Sequence, residues 1–230
     1  MNQENAEDIG IYLRPTEFLD SDSRIVIEFA RKAAAGAVSP VEKAVRLYYA
    51  VRDGIQYDPY RVDLTPNGLK ASSIISRGFG YCVAKAVVLA AAGRAQGVPV
   101  RLRFADVRNH LSTQRLRDLM KTDIFVYHGY TEFFLEGKWV KATPTFNLSL
   151  CERFKVRPLE FDGRNDSIFH EYNETGEKHL EYIRDHGSFP DLPLDLIVSS
   201  FRLHYPALVK SEEMFTEGSF EREATKEKGG

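Results

Sequence analysis

The stretch from Cys82 to Ala95 sets Ala84, Ala86, Ala90, Ala91, Ala92 and Ala95 among Val83, Val87, Val88 and Leu89. Small side chains on every face of a helix let neighbours pack closely on several sides at once, so such a helix belongs at the centre of a fold. Gly97 reads as its C-cap, and Pro99 prevents it from continuing. Its first residue is a cysteine, reached through Gly78-Phe79-Gly80-Tyr81. The N–H groups of a helix's first turn lack internal partners, and the positive end of the dipole lies there. A thiol in that place is drawn toward thiolate. Gly78 and Gly80 allow the backbone to approach the sulfur or a substrate closely. A free cysteine is also a small buried hydrophobe. The local pattern leaves both readings of Cys82 open.

At 230 residues the chain can bury a full core. A net charge of −2 with no dense run of Lys or Arg argues against nucleic acid and against an anionic membrane. No apolar run reaches the roughly 18 residues that a spanning helix needs. The polar, acidic opening MNQENAEDIG lacks the regions of a signal peptide, so the expected location is cytoplasmic. Cys82 and Cys151 are too few for a disulfide framework, and both are expected as free thiols. His110, His170, His179, His186 and His204 make no metal-ligand spacing, and no metal or cofactor is expected.

In chain order, Ile11-Tyr12-Leu13 reads as a short strand. A helix follows Ser21-Asp22-Ser23 and runs through Ala35. Ser39-Pro40-Val41-Glu42 is a capping box that starts a second helix, ending near Gly54. Ala71 to Ser76 fits one or two helical turns. Val100 to Phe104 alternates as a strand, and Asn109 to Met120 is partly helical. Asp123 to Leu135 and Trp139 to Thr143 form a hairpin about Glu136-Gly137. Beyond it, Phe154 to Phe161 holds one more strand, Phe169 to Asp185 a helix, and Leu194 to Leu203 a short helix. Helices first and a strand meander afterwards predict an α+β fold. One domain is expected over residues 1–210, with a core at about 40–147 and an elaboration over 148–210. Residues 211–230 read as a flexible tail.

The hairpin register can be written from a two-residue turn. Leu135 then faces Lys138, Phe134 faces Trp139, Glu132 faces Lys141, Tyr130 faces Thr143 and His128 faces Thr145. Glu132–Lys141 would be a cross-strand charge pair and Phe134–Trp139 an aromatic one. Alternation puts His128, Tyr130 and Glu132 on one face with Ile124, Val126 and Phe134. A histidine so placed can serve a cysteine as base, although a lone strand histidine is more often a core or surface residue.

Several short motifs in a fixed order now coincide. Ala71 to Ile75 is followed by Gly78-Phe79-Gly80-Tyr81-Cys82, Gly97-Val98-Pro99-Val100-Arg101, His128-Gly129-Tyr130-Thr131-Glu132 and Gly137-Lys138-Trp139. Over about 40–147 the chain resembles the transglutaminase-like superfamily, with its papain-like cysteine site. The resemblance implies Cys82 as nucleophile and His128 as base. It also implies a third group, usually Asp, that orients the imidazole. Here Thr143-Pro144-Thr145 stands where Asp-Pro-Thr would. A hydroxyl can hold a tautomer but cannot balance an imidazolium charge, and Asn147 is a possible substitute.

Three functions follow. The first is a hydrolase or acyltransferase for a small-molecule or peptide substrate with an amide or ester, in which Cys82 N–H and Tyr81 or Tyr130 hold the oxyanion. The second is a cis–trans isomerase of an unsaturated small acid, by reversible thiolate addition, which tolerates Thr143 better. The third is a catalytically idle binding domain. Tyr81, Tyr130, Glu132, His110 and Asn147 are the expected substrate contacts. Arg101 and Arg103 are either a solvated face or a clamp for an anion.

Overall fold

The computed structural model describes residues 9–110, 113–169, 180–206 and 220. A 3-10 helix, Gly10–Leu13, opens it in place of the expected strand. Tyr12 is then set edge-on to Trp139, with ring centroids 5.1 Å apart. Helix α1 is Arg24–Ala33, capped by the Ser23 side chain on the Val26 N–H. Helix α2, Pro40–Gly54, starts at the predicted capping box. Strand β1, Gln56–Tyr57, leads by a loop to α3, Ala71–Arg77. Strand β2, Phe79–Gly80, pairs in parallel with β1. Gly78, at φ +74°, ends α3 in the left-handed region that favours glycine.

The central helix α4 is Cys82–Ala95, and every residue from Cys82 to Arg94 is buried. Strand β3, Val100–Asn109, runs five residues further than its alternation indicates. Helix α5 is Gln114–Met120. Strands β4, Ile124–Leu135, and β5, Lys138–Ala142, form the hairpin in the expected register, with Phe134 facing Trp139 and Glu132 facing Lys141. Helix α6 is Leu148–Phe154, and the chain beyond it to Phe161 is irregular rather than a strand. Strand β6, Leu180–Phe189, corrects the helix expected there. Its residues satisfy the free edge of β3, and that pairing overrides a weak helical pattern. The first part of that expected helix, residues 170–179, lies outside the described residues. Helix α7 is Leu194–His204.

The larger sheet has the order β5-β4-β3-β6, antiparallel throughout. Helix α4 covers one face, where Val100, Leu102, Phe104 and Phe133 join the main core. A smaller cluster of Ala105, Val107, Tyr130, Phe169 and Leu180 lies apart from it. Most of residues 211–230 lie outside the described residues. Phe220, expected in the tail, is buried, its ring 5.6 Å from those of Tyr57 and Tyr60.

Candidate active site

Cys82 is the first residue of α4, and Tyr81 is the extended residue before it. The sulfur is 8% exposed and takes the backbone N–H groups of Gly129, Val83 and Cys82 itself. The Gly129 contact follows from the end of the sheet. The Phe134 N–H points to Pro99 on the β3 side. The N–H groups of the odd residues 133, 131 and 129 therefore point toward β5. β5 ends at Ala142, opposite Thr131. The next residue, Thr143, donates its N–H to Ser167 O, and its carbonyl accepts from Tyr48 Oη at 3.1 Å. The Gly129 N–H is left without a strand partner, and Cys82 Sγ takes it. The approach needs glycine, because a Cβ on residue 129 would lie 3.0 Å from Val83 Cα.

Burial outweighs those three donors. It pushes the Cys82 thiol up to about 11, against the thiolate expected at a helix N-terminus. His128, one residue before the amide on the sulfur, is 4% exposed, and burial lowers its imidazole to about 4. Both partners thus rest in their neutral forms near pH 7. Among the described residues no hydrogen bond joins the two side chains. Nε2 of His128 and the hydroxyl of Thr145 are buried without a hydrogen-bond partner, and the buried Thr143 hydroxyl has Tyr182 as its polar neighbour. Thr143 follows Ala142, the last β5 partner of β4, and its side chain lies against Tyr182, whose ring packs on Tyr130. Phe169 covers the imidazole at 5.7 Å between ring centroids.

A β-bulge sets the face on which His128 lies. Ala105 pairs with His128 and Val107 with Phe125, so Asp106 stands against two residues, Val126 and Tyr127. Tyr127 sits at φ +53°, an uncommon conformation for a side chain of its size. The bulge corrects the expected alternation. Phe125, and not Ile124 or Val126, shares the face of His128. Asp106 holds the bulge through Oδ1, which accepts from the Tyr127 N–H at 3.0 Å and lies 2.7 Å from His186 Nε2. The His186 ring stacks on Tyr127 at 4.0 Å. Nothing in the sequence pattern marks the Asp106–Tyr127–His186 arrangement.

The remaining expected site residues separate into two groups. Tyr81 lies beside Cys82 and has a buried hydroxyl without a partner, its ionisation pushed up by burial. Together they line a cavity of about 50 Å³ with Val62, Leu116, Met120 and Phe201. The others lie elsewhere or are already engaged. Tyr130 packs edge-on against Tyr182 and is pushed up to about 12 by burial. Glu132 does not pair with Lys141. It takes Arg101 at 2.6 Å, Arg103 at 3.2 Å and the Ser188 hydroxyl at 2.7 Å, while Lys141 turns to Asp166. This corrects the picture of Arg101 and Arg103 as a solvated face or a free anion clamp. Asn147 is spent on the backbone, accepting from the Tyr57 N–H and donating to Arg52 O and Ile55 O. Both its N–H groups are used, which leaves none for His128. His110 lies 3.7 Å from Glu181 at the far end of β3. Among the described residues, no three His, Cys, Asp or Glu side chains gather where a metal ion would be held.

The comparisons with known proteins bear on this arrangement. No protein of curated function matches the sequence. Among solved structures the chain is similar to a protein from Cytophaga hutchinsonii provisionally described as a cysteine protease, at 15% identity and a TM-score of 0.49, over 81% of this chain and 55% of that one. It is also similar to one from Parabacteroides distasonis provisionally described as a protease, at 14% identity and a TM-score of 0.37, over 58% of this chain and 26% of that one. The chain thus spans about half the length of the first and a quarter of the second. The sequence model of the Transglutaminase-like superfamily matches residues 27–144, which takes in α1 through Thr143 and includes Cys82 and His128. With more than half of its length matched in this way, the chain belongs to the transglutaminase-like superfamily.

Proposed function

We propose that the protein is a cysteine-dependent acyl-transfer enzyme, a hydrolase or transferase, acting on a small amide or ester. Cys82 is the nucleophile and His128 the general base. The observation that carries this reading is the seat of the sulfur, held by the Gly129 amide one residue from His128. Burial favours the neutral form of both groups, so the thiol proton passes to His128 as the carbonyl is attacked rather than before it. The C–S bond forms, and negative charge develops on the carbonyl oxygen. The Cys82 and Val83 N–H groups that hold the resting sulfur lie at the start of α4, where that oxygen would meet the positive end of the helix dipole. Imidazolium then returns the proton to the leaving nitrogen or oxygen. Water or a second nucleophile, deprotonated by neutral His128, releases the acyl group.

Thr143 gives this cycle a distinct character. It supplies no charge to balance the imidazolium, so the proton does not rest on His128 for long. Substrates with good leaving groups suit such a site best. The test is a screen of small amides and esters against the wild type and Cys82→Ala, with mass spectrometry to find acyl label on Cys82. Turnover that survives in folded Cys82→Ala would end this reading.

A further inference from the structure

The cavity beside Cys82 says more about the substrate than the nucleophile does. Its walls come from separate parts of the chain: Val62 in the loop after β1, Leu116 and Met120 on α5, and Phe201 on α7. Tyr81 and Cys82 complete it at the start of α4. None of its lining residues carries Asp, Glu, Lys, Arg or His. An anion placed there would lose its hydration and gain no partner, so the cavity rejects carboxylates. Its volume of about 50 Å³ limits the guest further. A site needs about 10–15 Å³ of such space to hold one water, and a dry cavity that admits benzene measures about 150 Å³. The space therefore suits about three carbon-sized groups and is too small for an aromatic ring.

We propose that this cavity is the acyl pocket of the enzyme and that it takes a short, uncharged aliphatic chain of two or three carbons beyond the carbonyl. The proposal rests on the reading of Cys82 as an acyl-accepting nucleophile. It deepens that reading by naming the substrate class as amides or esters of short aliphatic acids. Short aliphatic guests fill the space between Leu116, Met120 and Phe201, and the carbonyl lies at Cys82 where the cavity meets the sulfur.

The pocket is testable without turnover. Met120 lies in its wall, so the full chain labelled with methyl-13C methionine reports occupancy through the Met120 signal, assigned with Met120→Leu. Butyramide, butyrate and benzamide are titrated into the Cys82→Ala protein. The expected result is a saturable Met120 shift with butyramide, at an affinity at least about tenfold above that for butyrate or benzamide. Leu116→Trp, which fills the pocket, abolishes the butyramide shift while the other methionine signals stay in place. No saturable shift, or an equal response to butyrate or benzamide, overturns the proposal. Because Cys82 is absent from this measurement, failure of the nucleophile reading is seen separately. In that case butyramide shifts Met120 while wild-type Cys82 takes no acyl label.

Discussion

A buried neutral histidine makes folding sensitive to acid, and the size of the effect follows from His128. In the unfolded chain the imidazole titrates near 6.5, and in the folded protein burial lowers it to about 4. Between those values the unfolded state binds a proton that the folded state refuses. Stability therefore falls as pH drops through 6.5 and levels off below about 4. Each unit of difference contributes about 1.4 kcal/mol, so the full loss is about 3 kcal/mol, with about 2 kcal/mol gone by pH 5. A loss of that size is a large share of an ordinary domain's stability. The measurement is urea unfolding of the wild type and His128→Gln at pH 7.5 and pH 5. Glutamine is close in size and does not titrate, so the variant keeps every other acid-sensitive group. The wild type should lose about 2 kcal/mol more than the variant over this range. Equal losses, or an imidazole that titrates at 6.5 or above by NMR, would refute a neutral His128. A wild type that instead gains stability relative to the variant as pH falls would indicate a protonated His128, as in a thiolate–imidazolium pair.

The other expectations concern the neighbours of the site. Thr143→Asp, which puts a carboxylate on the face of His128, should raise the imidazole above 4 by NMR and increase amide or ester turnover; an unmoved titration would mean that Thr143 does not face the ring. Asp106→Ala should free the Tyr127 N–H and loosen the bulge, lowering kcat by up to about a hundredfold for a displacement of about 1 Å, with partial rescue by Asp106→Asn, which keeps an acceptor; equal activity in all three proteins would show that the bulge does not position His128. Glu132→Gln should cost about 3 kcal/mol in chemical denaturation, because Arg101 and Arg103 lose the charge they share. Lys85 is fully buried, its amine donates to Arg52 O at 2.7 Å, and burial holds it well below the usual lysine range. Lys85→Met should therefore change stability by no more than about 1 kcal/mol, because Asn147 still serves Arg52 O; a loss above about 3 kcal/mol would indicate a charged, paired lysine.

What could be read from the sequence was what depends on local pattern. The alanines of α4 required a buried helix, and each residue from Cys82 to Arg94 is buried. Ser39 and Glu42 fixed the start of α2, and the Glu136-Gly137 turn fixed the hairpin register. What failed depends on contacts between distant segments. Leu180–Phe189 lacks a strong strand pattern and is a strand because β3 offers it an edge. The bulge at Asp106 needs one extra residue on β4, which alternation cannot reveal. Glu132 was given Lys141 as its partner because cross-strand register sees one neighbour, whereas arginines from β3 reach it as well. Asn147 looked available for His128, yet its amide closes the turn between α2 and β1. The thiolate expected for Cys82 came from the helix terminus alone. The depth of burial, which reverses the shift, is a property of the assembled core.

The site owes its existence to a strand that stops early. Had β5 continued beside β4, the next backbone carbonyl would have taken the Gly129 N–H, and the start of α4 would have had no place at the sheet edge. Thr143 instead turns to Ser167 and Tyr48, and Pro144 brings no N–H with which to resume the ladder. The vacant donor is filled by sulfur, a weaker acceptor than a carbonyl. The exchange leaves Cys82 anchored but not ionised. Near that departure of β5, His128 Nε2 and the Thr145 hydroxyl are buried without hydrogen-bond partners. Unpaired buried groups lower stability and are retained where something else uses them. Under the proposed acyl transfer, Thr143 offers a hydroxyl and no charge to balance an imidazolium.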